Sequence, residues 1–252
     1  LWQMSQLPQQ SRCPRLLELF SGSSSLGNVA KNLGWDVVSL DILSGATVCV
    51  DITTCDLSIY GVFDWVHASP PCQEYSRCKT RAPRDIESAN VIAGCARHII
   101  DQQMRLNSRL VYTIENPATG LLKVQSPVKS LPWYDTAYCC YGFPYRKLTR
   151  IWSNMALSLP NCASHCQYGG NHPLSVQNSP VSIRSRIPPG LWYELVINAI
   201  RHLNLPLPRI PLTCSRCHKT KRDLSPKAKK TPKVCSNCHT NRTDRWYAGP
   251  LC

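Results

Sequence analysis

Apolar positions in the first half of the chain fall into short, regularly spaced runs. "RLLELF" at 15–20, "WDVVSLDI" at 35–42, "ATVCVDI" at 46–52, "FDWVHAS" at 63–69 and "RLVYTIENP" at 109–117 each have the length and composition of a buried strand. Between them, "SLGNVAKNLG" at 25–34 carries apolar residues at helical spacing and stops at Gly34. The segment 86–107, "IESANVIAGCARHIIDQQMRLN", repeats that spacing over a longer stretch. Strands alternating with helices predict a parallel α/β sheet. Each strand ends on Gly, Asp, Pro or Asn, and ligands of such sheets gather at the carboxyl ends of the strands.

Beyond Pro117 the pattern changes. "TAYCCYGF" at 136–143 and "LTRIWSN" at 148–154 read as paired strands joined across "PYRK". Residues 155–188 are rich in Ser, Pro, Asn, Cys and Gly and read as loop. "PPGLWYELVINAIRHL" at 188–203 opens on prolines and keeps i, i+3, i+4 apolar spacing, a helix. Three prolines in "NLPLPRIPL" then break all periodicity, as in a semi-rigid linker. The organisation expected is an N-terminal extension at 1–14, one domain at 15–203, a Pro-rich linker at 204–212 and a small module at 213–247.

Composition adds two constraints. The 252 residues suffice for one domain of about 200 residues plus an appendage. The formal charge is +14, and the segment from Leu207 to Cys252 holds 11 Lys/Arg against 2 Asp/Glu. A basic stretch of that density points to a polyanion, nucleic acid first. No apolar run approaches the roughly 18–20 residues of a membrane span, and the opening residues lack the apolar core of an export signal. A monomer inside the cell, without a membrane partner, is expected. The lysine-rich stretch 227–233 would suit nuclear import in a eukaryotic setting.

The chemistry-bearing residues lie at the strand ends. A glycine turn, "ELFSGSSSLG", follows the first strand. Asp41 and Asp51 end the next two, placed as acids are for the ribose and base of a nucleotide-like ligand. No GxxxxGK[ST] loop is present, which argues against ATP. Then come "SPPCQEYS" at 69–76, "TIENP" at 113–117 and "YGFPYRKLTRIWSN" at 141–154. In that order these segments resemble the cytosine-C5 DNA methyltransferases, above all the compact forms of phages, large viruses and mobile elements. The resemblance covers roughly residues 15–203.

That resemblance implies a Rossmann-like S-adenosylmethionine-dependent fold and a division of labour. Cys72 matches the nucleophile that adds to C6 of the target base. Cytosine C5 is too poor a nucleophile to take a methyl directly, and a thiolate at C6 turns the ring into an enamine. A helix N-terminus beside the thiol would favour the thiolate. Glu115, followed by Asn116 and Pro117, matches the carboxylate that contacts N3 and the amino group. Arg150 matches the last arginine of the family's Arg-x-Arg pair. Leu148 stands where the other arginine is expected, and Arg146 is the candidate replacement. Phe20, Ser21 and Gly22 correspond to the methionine side of the cofactor, Asp41 and Ile42 to the ribose, and Asp51 and Ile52 to the adenine. Ser24 stands where many members have glycine. Ser69 and Pro70 close the site beside the donor methyl. The target must be flipped out or unpaired, and the recognition region at 153–187 is short, implying relaxed specificity.

Two groups of cysteines have metal-ligand spacing. Cys214-x2-Cys217 and Cys235-x2-Cys238 suit a four-thiolate zinc site in a basic, ribbon-like module, with His218 and His239 as possible alternates. Cys140, Cys162, Cys166 and His172 form a second candidate zinc set that would pin the recognition loop, with Cys139 able to replace Cys140. Buried thiols are the competing reading. DNA is the expected partner. An RNA-acting enzyme of the tRNA-modifying branch, and a catalytically idle nucleic-acid-binding protein on the same fold, stay open.

Overall fold

The computed structural model describes residues 12–177, 179–180, 185–208, 212–214 and 246–248. Seven strands form one sheet: β1 (Arg15–Leu19), β2 (Asp36–Asp41), β3 (Val48–Cys49), β4 (Trp65–Ala68), β5 (Val111–Pro117), β6 (Trp133–Ala137) and β7 (Leu148–Ser153). Their order is β3-β2-β1-β4-β5-β7-β6. All pairings are parallel except those of β7, which runs against both β5 and β6. The expected parallel α/β, Rossmann-like sheet is therefore present, with one reversed strand.

Period-two alternation sends successive side chains to opposite faces. One face carries Leu17, Leu19, Val66, Ala68, Tyr112 and Ile114 against α2 (Ile86–Leu106). That helix begins where the Asp85 side chain accepts the Ser88 amide at 3.0 Å, and it buries Ala89, Ala93, Ala96 and Ile100. The other face carries Leu16, Trp65, Val111 and Ile151 against α1 (Ser25–Asn32) and a C-terminal helix. This last helix spans Pro189–His202 and inserts Leu191, Trp192, Leu195, Val196 and Ala199.

Three elements differ from expectation. The strand read at 46–52 is reduced to Val48–Cys49, because Asp51 turns to accept the amide and hydroxyl of Thr53. β6 starts earlier than read and ends at Ala137. Tyr138–Tyr141 then forms a 3-10 turn closed by Gly142 at φ 90, a conformation glycine adopts at little cost. Within the segment read as loop, α3 (Cys162–His165) is a single helical turn capped by Asn161. The C-terminal helix is α4 below. Beyond the domain, β8 (Leu212–Cys214) pairs antiparallel with β9 (Trp246–Ala248). Among the described residues, no helix is long and apolar enough to cross a membrane.

Candidate active site

The strand order reverses between β1 and β4, and chain crossing away from that point leaves a crevice at their carboxyl ends. A cleft of about 1280 Å³ opens there. One wall is the turn after β1. Phe20, Gly22 and Ser24 lie in the left-handed region at φ 58, 50 and 53. For Phe20 and Ser24 this costs about 1 kcal/mol each. Two bonds hold the turn: Gly22 N–H donates to Asp41 Oδ2 at 2.8 Å, and Ser21 N–H to the Leu40 carbonyl at 3.1 Å. The Ser21 hydroxyl is buried and lacks a partner among the described residues.

Beneath the turn runs a row of buried polar side chains on the α1–α4 face. Sheet register places Glu18 beside His67, and His67 beside Thr113. Glu18 Oε2 accepts the Gly27 amide at 3.1 Å, and burial raises its carboxyl to about 7. Burial also pushes the His67 imidazole down to about 3, so the ring is neutral. His67 Nδ1 lies 2.8 Å from Thr113 Oγ1, and Nε2 lies 2.9 Å from Ser69 Oγ. A neutral ring carries one N–H, so one of these hydroxyls donates to it and the other accepts. Trp65 Nε1 donates to Thr113 at 2.9 Å, and Trp192 packs edge-on at 4.9 Å from the His67 ring. The row thus fixes the orientation of Ser69 at the rim of the cleft.

Cys72 lines the cleft two residues beyond Pro70. It stands just before the turn at 73–75, and the next helix of its own segment, α2, begins only at Ile86, so Cys72 is not itself at a helix N-terminus. The cations lining the cleft are Lys79, Arg146, Lys147 and Arg186. Lys79 already binds Glu74 at 2.5 Å, and that hydrogen bond lowers the Glu74 carboxyl. Asn116 Nδ2 donates to the Pro70 carbonyl at 2.9 Å, tying the end of β5 to the loop that carries Cys72. Its Oδ1 is buried without a partner among the described residues.

Glu115 is 5% exposed and faces the cleft from β5. Tyr138 donates to its Oε1 at 3.2 Å, and the Thr149 hydroxyl donates to the same oxygen. Among the described residues both donors use Oε1, which leaves Oε2 for a ligand. Burial and the Glu115 charge drive the Tyr138 phenol well above its ordinary range, so it remains a donor.

The cleft therefore gathers Cys72, Glu115, Asn116, Arg146, Phe20, Ser21, Gly22, Ser69 and Pro70. Other expected residues lie elsewhere. Arg150 does not line the cleft. Glu115 pairs with Ile151 across β5–β7, so Arg150 projects from the opposite face. There it makes a two-pronged ion pair with Asp135 at 2.7 and 2.8 Å and stacks 3.6 Å over Trp133. Asp41 braces Gly22 and Leu43, and Asp51, which holds Thr53, has its carboxyl lowered by those bonds. Ile42 is 69% exposed outside the cleft, and Ile52 is buried in the core. Cys140 is replaced by Cys139 in the cluster with Cys162, Cys166 and His172. Of the C-terminal set, only the backbone of Cys214 falls within the described residues; Cys217, Cys235 and Cys238 lie outside them.

The residues that sequence reasoning missed are Glu18, His67, Tyr138 and Thr149. Glu18 and His67 carried a readable signal, a titratable side chain inside an otherwise apolar strand. Tyr138 and Thr149 reach Glu115 only through sheet register.

No family model matches the chain. A curated relative from Frog virus 3 (isolate Goorha), described as a probable DNA (cytosine-5)-methyltransferase, is 30% identical over 169 residues, which is 59% of this chain and 75% of the relative. Among solved structures, a putative DNA modification methyltransferase encoded within an E. coli prophage aligns at 17% identity and TM-score 0.42, over 57% of this chain and 49% of that one. Entamoeba histolytica EhMeth aligns at 13% identity and TM-score 0.44, over 59% and 57%. S. pombe Dnmt2 aligns at 15% identity and TM-score 0.43, over 63% and 58%. The chain thus spans about half to three-fifths of the length of these solved proteins. The viral match extends over most of its relative, and with it the chain belongs to the cytosine-C5 DNA methyltransferase family.

Proposed function

We propose that this protein transfers a methyl group from S-adenosylmethionine to C5 of an unstacked cytosine in DNA, through a transient bond between Cys72 Sγ and C6. The observation that carries the reading is the meeting of Cys72 and Glu115 across one cleft at the switch point of the sheet. The cofactor fits the neighbouring wall: the buried Ser21 hydroxyl, unpartnered among the described residues, and the left-handed turn from Phe20 to Ser24 offer a cradle for a polar ligand. Bound there, S-adenosylmethionine supplies an electrophilic methyl. Phe20, Ser21, Gly22, Ser69 and Pro70 would hold its methionine end. Asp41 would act through the turn it braces, and Asp51, Ile42 and Ile52 on the adenosine side lie outside the cleft.

The chain's own residues account for the base chemistry. The Cys72 thiolate adds to C6, and the π pair of the C5–C6 double bond shifts to C5, conjugated through C4 to N3. A proton held between Glu115 and N3 offsets the charge that develops, which is transition-state stabilisation. Tyr138 and Thr149 fix Glu115 for that contact, and Arg146 supplies positive charge at the same rim. Attack of C5 on the donor methyl would release the donor sulfur as a neutral thioether, and loss of the C5 proton to solvent then restores the C5–C6 double bond and expels the Cys72 thiolate. Asn116 keeps the Pro70–Cys72 loop in register by its bond to the Pro70 carbonyl.

The basic C-terminal region supports nucleic acid as the partner. Cys214, Cys217, Cys235 and Cys238 form a four-thiolate zinc module in this reading. Their spacing supports it, as does the β8–β9 pairing that brings the two ends of the segment together.

Transfer of a labelled methyl group to duplex DNA, single-stranded DNA and tRNA tests the proposal. Label is expected at C5 of DNA cytosines, and the Cys72→Ala form should transfer none while still binding DNA. Label confined to tRNA, or transfer that survives Cys72→Ala, would overturn it.

A further inference from the structure

We propose that Cys139, Cys162, Cys166 and His172 bind one structural zinc ion that fastens the recognition segment to the turn behind Glu115. Their ligand atoms all lie within 4.8 Å of one another. His172 Nε2 is 3.6 Å from Cys162 Sγ and 3.3 Å from Cys166 Sγ. A tetrahedral zinc with Zn–S of about 2.3 Å and Zn–N of about 2.0–2.1 Å requires S···N edges of about 3.5 Å. The side chains therefore already stand on the edges of such a tetrahedron. Three sulfurs and one nitrogen suit zinc among the common divalent ions. Four protein ligands also leave no open position, the mark of a structural site.

Local structure gives a second reason. α3 has four residues, far fewer than a helix needs to hold itself. The apolar company of the cluster is thin: Ala137, Tyr141, Leu148 and Tyr168 around the cysteines. None of the described cysteines is in a disulfide. Gly169 and Gly170, at φ 55 and 94, turn the chain back so that His172 meets Cys166. Without an ion these residues converge on one another with little to hold them there.

The ion would join two walls of the cleft. Cys139 follows Tyr138, which bonds to Glu115. Beyond His172, the Leu174 amide donates to the Pro144 carbonyl at 3.0 Å, and Val176 and Gln177 then line the cleft. A role in target binding rests on the methyltransferase reading; the metal site itself does not.

Zinc content of the purified full chain, by mass spectrometry after dialysis, tests the site. The Cys162→Ser/Cys166→Ser form should hold one zinc fewer per chain than the unaltered protein, and Cys140→Ala should hold the same number. Zinc bound by the C-terminal module is counted separately with Cys214→Ser/Cys217→Ser. Unchanged zinc in the first form, or loss in Cys140→Ala, would overturn the proposal. Alkylation mapping of the unaltered protein covers the case of a variant that does not fold. Cys162 and Cys166 should label only after a chelator releases zinc, while the exposed Cys13, Cys49 and Cys78 label equally before and after. Labelling of Cys162 and Cys166 as fast as Cys13 before chelation would sink it. A zinc-loaded chain that transfers no methyl would refute the proposed activity alone.

Discussion

Glu18 and His67 are neighbours in one buried row, and burial shifts them so that pH affects the fold in opposite senses. The Glu18 carboxyl rises from its ordinary 4.5 to about 7. Its contribution is complete below pH 4.5 and is lost as pH rises through 7, by at most about 3 kcal/mol. The His67 ring falls from 6.5 to about 3. Its contribution is complete above pH 6.5 and is lost as pH falls towards 3, with about 2 kcal/mol gone at pH 5. Urea midpoints across pH should therefore show Glu18→Gln losing less stability than the unaltered protein between pH 5 and 8. His67→Gln should flatten the limb below pH 6.5; profiles parallel to the unaltered protein would contradict both assignments. Gly27 belongs to the same row. A Cβ added there would stand 2.5 Å from Glu18 Oε2. Helix propensity alone favours alanine by about 1 kcal/mol, but overlap with a buried, hydrogen-bonded carboxylate outweighs it. Gly27→Ala should destabilise by about 1–3 kcal/mol in denaturant unfolding. In a Glu18→Ala background the same change should cost less, because only the 3.1 Å approach to Val37 Cγ1 then remains.

At the scale of elements, β7 decides which arginine serves the cleft. Its alternation turns Thr149 to Glu115 and Arg150 to Asp135 and Trp133 on the far face. Arg150→Ala should lower stability by about 1–3 kcal/mol through loss of a charge-assisted pair and a stacked ring, with DNA affinity held within about twofold. Arg146→Ala should do the reverse, weakening DNA binding about tenfold or more at little cost to folding. Filter binding beside thermal melts separates the two, and a loss of DNA affinity with Arg150→Ala would restore it to the site. This is also where legibility from sequence ended. "SPPC" and "ENP" could be placed at strand ends because apolar runs terminate there. Which face Arg150 takes depends on register between strands far apart in sequence, and no local pattern encodes that. The choice between Cys139 and Cys140 failed for a related reason: the 3-10 turn at Tyr138–Tyr141 breaks the alternation that a strand would have kept.

At the scale of the whole molecule, periodicity sufficed for the parallel α/β sheet, whereas the reversal of β7 and the cleft it completes are products of topology. The glycine turn, the Pro-Cys loop and the Glu-Asn-Pro strand end come from segments separated by tens of residues, and only the crossover between β1 and β4 makes them one site. The +14 charge gives the molecule an electrostatic reason to meet nucleic acid, but the proposed chemistry rests on a single sulfur. Incubation of the protein and S-adenosylmethionine with DNA carrying 5-fluorocytosine addresses that point most directly, because the fluorine blocks the final loss of the C5 substituent. The account predicts a denaturant-resistant protein–DNA adduct mapped by mass spectrometry to Cys72 and absent from Cys72→Ser. An adduct on another residue, or none while the folded protein binds both cofactor and DNA, would contradict it.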